Sequence, residues 1–211
     1  MPTRIVTISH TTGAAGDSIG RGVAERLGFR YIDDQIIEVA AKNHGLDTAT
    51  VADAERRKDF LSRLVEGLGS APVLDLGSAG LMTFESLNIP RTEELRALII
   101  EAIREVARSG NVVIVSHAAG IPLAGRDDLL RVLVTASFDT RARRFAAAEG
   151  LSEGEAAQRL KASDAGRADY FLRFYRIEHE LPTHYDLVVN TDSLTPEEAT
   201  DILVAAAGRK A

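Results

Sequence analysis

The sequence predicts an α/β protein in which a three-layer parallel sheet is flanked by helices. Three observations predict it. The runs Ile5-Val6-Thr7-Ile8, Val112-Val113-Ile114-Val115 and Leu130 to Val134 are apolar almost throughout, as strands covered on both faces are. Segments of helical periodicity separate these runs, the arrangement of parallel strands joined by crossovers. The first run passes through a glycine turn directly into a helix.

Each element has a local cause. After Ile5–Ile8 comes the turn Thr11-Thr12-Gly13-Ala14-Ala15-Gly16, then a helix with Ile19, Val23, Ala24 and Leu27 on one face, ended by Gly28. Phe29 to Ile32 is a second short apolar run. Asp33-Asp34 starts a helix over 34–44 whose inner face is Ile36, Ile37, Ala40 and Ala41. Residues 47–69 carry Phe60, Leu61, Leu64, Val65 and Leu68 at helical spacing, and 70–90 read as a loop rich in Gly, Pro and Ser. A helix over 91–109 turns Leu95, Leu98, Ile99, Ala102, Ile103 and Val106 inward, with Gly110 as its cap. Residues 139–149 and 152–174 are helical and rich in Arg. Tyr185 to Val189 is the last strand, ending in Asn190-Thr191-Asp192. Thr195-Pro196-Glu197-Glu198 opens a final helix over 195–207.

The 211 residues fit one domain, 1–211. With 25 Lys+Arg against 31 Asp+Glu, the net charge of -6 argues against a nucleic-acid coat. The absence of cysteine excludes disulfides, iron–sulfur clusters, thiolate zinc and cysteine nucleophiles. No apolar run is long enough to cross a membrane, and the first residues lack the apolar stretch of a signal peptide, so a soluble, cytoplasmic protein is expected. No His pair stands at i, i+4 with a carboxylate, and no G-x-S-x-G is present, so zinc-hydrolase chemistry has no support in the sequence and an esterase has little.

A glycine turn between a buried strand and a helix is a phosphate cradle in principle: small residues let backbone N–H groups approach an anion, and the helix dipole favours it. The candidate cradle is Thr12, Gly13, Ala14, Ala15, Gly16, Asp17 and Ser18, with the Ser18 hydroxyl placed to meet Mg2+ and Asp17 as an alternative ligand. A plain βα turn is the competing reading. Laid over G-x-x-x-x-G-K-[ST], the lysine position falls at Gly16. The four lysines, 42, 58, 161 and 210, all lie elsewhere. The cations of any phosphoryl transfer must then be arginines: Arg141, Arg143, Arg144, Arg159, Arg167 and Arg173 are the candidates.

At these positions the chain resembles the cytidylate kinase-like family of P-loop nucleoside monophosphate kinases. The likeness rests on Val6-Thr7-Ile8-Ser9 with Gly13, Gly16 and Ile19, on Leu27-Gly28-Phe29-Arg30-Tyr31-Ile32-Asp33, and on Asp164, Arg167, Tyr170, Tyr185-Asp186-Leu187 and Asn190-Thr191. The resemblance implies a P-loop kinase-like fold, ATP and Mg2+ as cofactors, and a nucleoside monophosphate, CMP in the first place, as acceptor. It implies an acceptor-side helical insertion over 47–90 and lid helices over 139–175. It makes Arg167, Arg144 and Asp33 the catalytic candidates, and Tyr31, Asp33, His117 and Asp164 the substrate-binding ones. His117 follows Ser116 where the family usually has Gly-Arg after the strand. Asp33 also reads as a helix cap. Other readings stay open: a nucleotide-binding regulatory protein that kept the fold without catalysis, or a sugar or antibiotic kinase on the same scaffold. The helices over 47–110 could pair two chains into a homodimer; neither nucleic acid nor membrane is expected as a partner.

Overall fold

The computed structural model describes residues 2–33, 36, 92–115 and 118–209. The expected helices over 34–44 and 47–69 and the loop over 70–90 lie outside the described residues, Ile36 apart.

Within them, β1 (Ile5–His10) leads into α1 (Gly16–Leu27), followed by β2 (Arg30–Ile32), α2 (Thr92–Arg108) and β3 (Val112–Val115). Then come β4 (Leu129–Thr135), α3 (Phe138–Glu149), α4 (Glu153–Tyr175), a 3-10 turn at Pro182–His184, β5 (Leu187–Asn190) and α5 (Pro196–Arg209). The five strands pair in the order β2-β3-β1-β4-β5, all parallel. The apolar strand β1 therefore sits at the centre, with Ile5 facing Val112 on one side and Leu129 on the other.

Strand alternation divides the core in two. Ile5, Val112, Ile114 and Leu129 pack with Ile99, Ile103 and Phe174 of α2 and α4. Val6, Ile8, Val113, Val115, Val132 and Val134 pack with Ile19, Val23, Ala199 and Leu203 of α1 and α5. Every strand residue of β3 is buried, which is why the run reads as continuously apolar. β5 differs. Its pattern puts only Val189 in the core, and Val188 is 40% exposed, as an edge strand allows. It begins at Leu187, two residues later than the sequence suggests, because Tyr185 caps the preceding 3-10 turn.

Caps fall where the residues demand them. Gly28 ends α1 at φ 65 with its N–H on the carbonyls of Ala24 and Glu25. Ser152 and Glu155 form a capping box on α4. In α1, a Cβ at Gly20 would lie 2.6 Å from Val115 Cγ2, so only glycine lets the helix approach the sheet this closely. α1 and α5 are joined on the outside by Arg26, which reaches Asp201 and Glu197. Among the described residues, no helix is long and apolar enough to cross a membrane.

Candidate active site

The glycine turn stands at the C-terminal end of the central strand, where a parallel sheet of this kind collects its ligands. Two residues bend the chain there. Gly13 has φ +83, and Ala15 is left-handed at φ 66, immediately before α1 begins at Gly16. Ala14 donates its N–H to the carbonyl of Thr11 and buries its methyl group, and α1 begins two residues later at Gly16. Beside the turn lies a cavity of about 380 Å3 lined by His10, Thr12, Gly13, Ala15, Gly16, Asp17, Arg144, Phe145 and Ala148. The expected cradle residues are thus brought together, and most of them line one cavity.

Two Arg–carboxylate pairs hold the start of the turn. Arg141, from α3, donates both terminal nitrogens to Asp164 of α4 at 2.8 and 2.7 Å and reaches the carbonyl oxygen of Thr12 at 3.3 Å. Thr12 is tied to α4 a second time through its hydroxyl, 2.8 Å from that of Ser163. Arg167 donates to Glu180 at 2.8 and 2.6 Å, to the carbonyl of His10 at 2.9 Å and to the hydroxyl of Ser9 at 2.8 Å. Its guanidinium lies over the ring of Phe171. Tyr185 donates its hydroxyl to Glu180, and burial pushes its phenol above its ordinary value. Ser9 projects toward α4 because it shares the alternation of Ile5 along β1.

The two principal arginines are therefore held differently. Arg167 is satisfied by a carboxylate and the base of the turn, and it is not among the residues lining the cavity. Arg144 lines the cavity and donates to the hydroxyl and carbonyl of Thr191 at 3.0 and 2.7 Å. Among the described residues no carboxylate pairs with it. Thr191, 1% exposed, in turn has its hydroxyl 3.2 Å from the carbonyl of Ala14, so β5, α3 and the turn share one anchor.

The remaining expected residues are placed as follows. Asp164 serves Arg141. Asp33 follows β2, pairs with Arg21 at 3.3 Å, and accepts the N–H of Ile36 on its own carbonyl. Tyr31 packs beneath Arg21, whose guanidinium carbon is 4.2 Å from the ring centre. Ser18 donates its hydroxyl to the carbonyl of Ala15 at 2.9 Å. His10 lies with Nε2 3.4 Å from Asp17 Oδ1, and it holds the Asp17 carboxyl below its ordinary value, against the opposing effect of burial. A Cβ at Gly16 would lie 2.2 Å from His10 Cγ, so the imidazole rests directly on the start of α1. His117 lies outside the described residues. Glu180 and Ser163 carried no signal in the sequence: each is one polar residue in a polar stretch, and only the docking of α4 gives it a partner.

A parallel sheet in the order 2-3-1-4-5, with a glycine turn and a helix N-terminus at the end of its central strand, is the P-loop kinase-like fold. Solved structures share it. An uncharacterized protein from Eubacterium ventriosum superposes with a TM-score of 0.66 at 16% identity, over 96% of this chain and 97% of that one. A sugar kinase from Janibacter sp. gives 0.51 at 14% identity, over 97% and 94%.

The chain belongs to the cytidylate kinase-like family, whose model matches residues 5–193. A cytidylate kinase of Methanocorpusculum labreanum is 25% identical over 95% of this chain and 94% of its own length. One from Ignicoccus hospitalis is 26% identical over 94% and 96%. A third, from Sulfolobus acidocaldarius, is 32% identical, but that match spans only 53% of this chain and 60% of the relative. Family and fold together define a nucleotide-binding phosphotransferase.

Proposed function

We propose that this protein transfers the γ-phosphoryl group of ATP to a nucleoside monophosphate, with CMP as acceptor. The observation that carries the reading is the cavity at the glycine turn: it is lined by Gly16 and Asp17 at the start of a helix and by Arg144, a half-buried cation with no carboxylate partner among the described residues. The relatives that match along nearly their whole length are named cytidylate kinases, which supports CMP.

Phosphoryl transfer is chiefly positioning and charge neutralisation. The residues from Thr12 to Ser18 hold the phosphates through backbone N–H groups, and Arg144 supplies the fixed positive charge in place of a loop lysine. When bound, Mg2+ neutralises the phosphate oxygens; the hard oxygen donors of Asp17 and Ser18 fit it. Arg167 acts through the hydroxyl of Ser9 and the carbonyl of His10 and sets the height of the turn. Tyr31, Asp33 and His117 form the acceptor side, with Asp33 placed to orient the acceptor or take its proton. In this reading the helices over 139–175 serve as the lid, 47–90 as the acceptor-side insertion of a single cytoplasmic domain, and 47–110 as the surface that pairs two chains.

The test is turnover with Mg·ATP and a pool of nucleosides, nucleoside monophosphates and sugars, with products identified by mass spectrometry. CDP is the expected product. A phosphorylated sugar would replace the acceptor and keep the phosphotransferase. ATP bound without any product would favour a regulatory nucleotide-binding protein.

A further inference from the structure

We propose that Asp17 takes the divalent cation of the bound nucleotide and makes nucleotide binding conditional on that cation. The inference rests on the reading of the glycine turn as a phosphate site. With the lysine position of the phosphate-loop pattern at Gly16, the next position, whose hydroxyl reaches Mg2+ in that pattern, is Asp17. The geometry agrees. Asp17 stands in the first turn of α1, lines the 380 Å3 cavity, and has a side chain 65% exposed. The neighbouring hydroxyl of Ser18 is turned back onto the carbonyl of Ala15, and Ser18 is not among the lining residues.

A carboxylate at this place acts in opposite directions on the two forms of the nucleotide. A metal-free triphosphate meets negative charge beside the very N–H groups that attract it, so the carboxylate opposes what the helix start and Arg144 offer. A metal-bearing nucleotide meets a hard oxygen donor. Mg2+ is commonly held by one or two carboxylates together with substrate phosphates and water, and not by a cage of protein ligands. The described residues fit that description: they contain no group of three or more His, Asp or Glu that could hold a metal ion unaided. Two basic residues stand beside Asp17. His10 contacts it from the end of β1, and Arg21, one turn along α1, is shared with Asp33.

The experiment is a calorimetric titration of ATP into the wild-type protein and Asp17→Asn, once in excess Mg2+ and once in excess EDTA, with thermal unfolding to confirm that both proteins are folded. The wild type should bind Mg·ATP roughly tenfold or more tightly than metal-free ATP, and Asp17→Asn should bring the two within about threefold, mainly by tightening metal-free ATP. An unchanged ratio in Asp17→Asn overturns the assignment. A ratio that collapses in Ser18→Ala and not in Asp17→Asn also overturns it and gives the cation to Ser18. No ATP binding by the folded wild type in either condition would overturn the phosphate-site reading itself.

Discussion

Arg141 grips the glycine turn by a backbone atom: while both of its terminal nitrogens hold Asp164, Nη1 also reaches the carbonyl oxygen of Thr12 at 3.3 Å. Arg167 does the same two residues earlier, on the carbonyl of His10, with Glu180 as its carboxylate. Both grips involve α4, which supplies Asp164 to one and Arg167 to the other. The turn is thus held from outside by two ion pairs in addition to its own internal hydrogen bond.

Removing a carboxylate from the first pair should loosen the turn. Arg141 is 7% exposed and Asp164 36%, so Asp164→Asn leaves a nearly buried charge half satisfied. Stability should fall by about 1–3 kcal/mol, below the figure for a fully buried pair because Asp164 meets solvent. ATP affinity should fall with it. Urea unfolding and ATP titration check both, and a variant as stable as the wild type would mean that the pair does not anchor the turn.

Gly13→Val should destroy the cradle. At φ +83 a Cβ would lie 2.8 Å from the carbonyl oxygen of Arg141. Strain and the clash should cost about 2–3 kcal/mol of stability, and ATP binding should be lost. Unchanged ATP affinity in the folded variant would refute the assignment of the turn.

The two arginines should separate in their effects. Arg144→Ala should weaken ATP binding about tenfold, a loss typical of one charge-assisted contact, with a smaller effect on folding. Arg167→Ala leaves Glu180, 18% exposed, without its cation though still accepting from Tyr185, and should lower stability by about 1–3 kcal/mol. Parallel ATP titrations and denaturation curves decide it; the reverse ranking would exchange their roles.

Acid should act through Asp192. Its carboxylate accepts the N–H and the hydroxyl of Ser137, at 2.9 and 2.8 Å, and these bonds lower its pKa from 3.8 to about 2. A folded-state pKa below the unfolded value gives stability that is complete above the unfolded value. That contribution fades as pH falls from about 4 to about 2. Asp192→Asn should therefore lose Tm less steeply than the wild type across that window. Parallel curves would show that the carboxylate contributes nothing there.

Local physics makes much of the protein legible in its residues. A strand buried on both faces must be apolar at consecutive positions, so β1 and β3 announce themselves. Glycine is needed where φ is positive, so Gly13 and Gly28 mark the turn and the helix end; the close helix–sheet approach at Gly20 is visible only in the packing. Partnership between charged side chains is a different matter. Arg144 and Arg167 look alike in a chain rich in arginine. Only the packing of α3 and α4 against the sheet gives Arg167 to Glu180, 13 residues on, and Arg144 to Thr191, 47 residues on. A guanidinium finds its partner by distance in space, to which sequence separation is a poor guide. The residue types that could carry the chemistry were therefore written in the chain, and the tertiary structure decided which of them line the cavity.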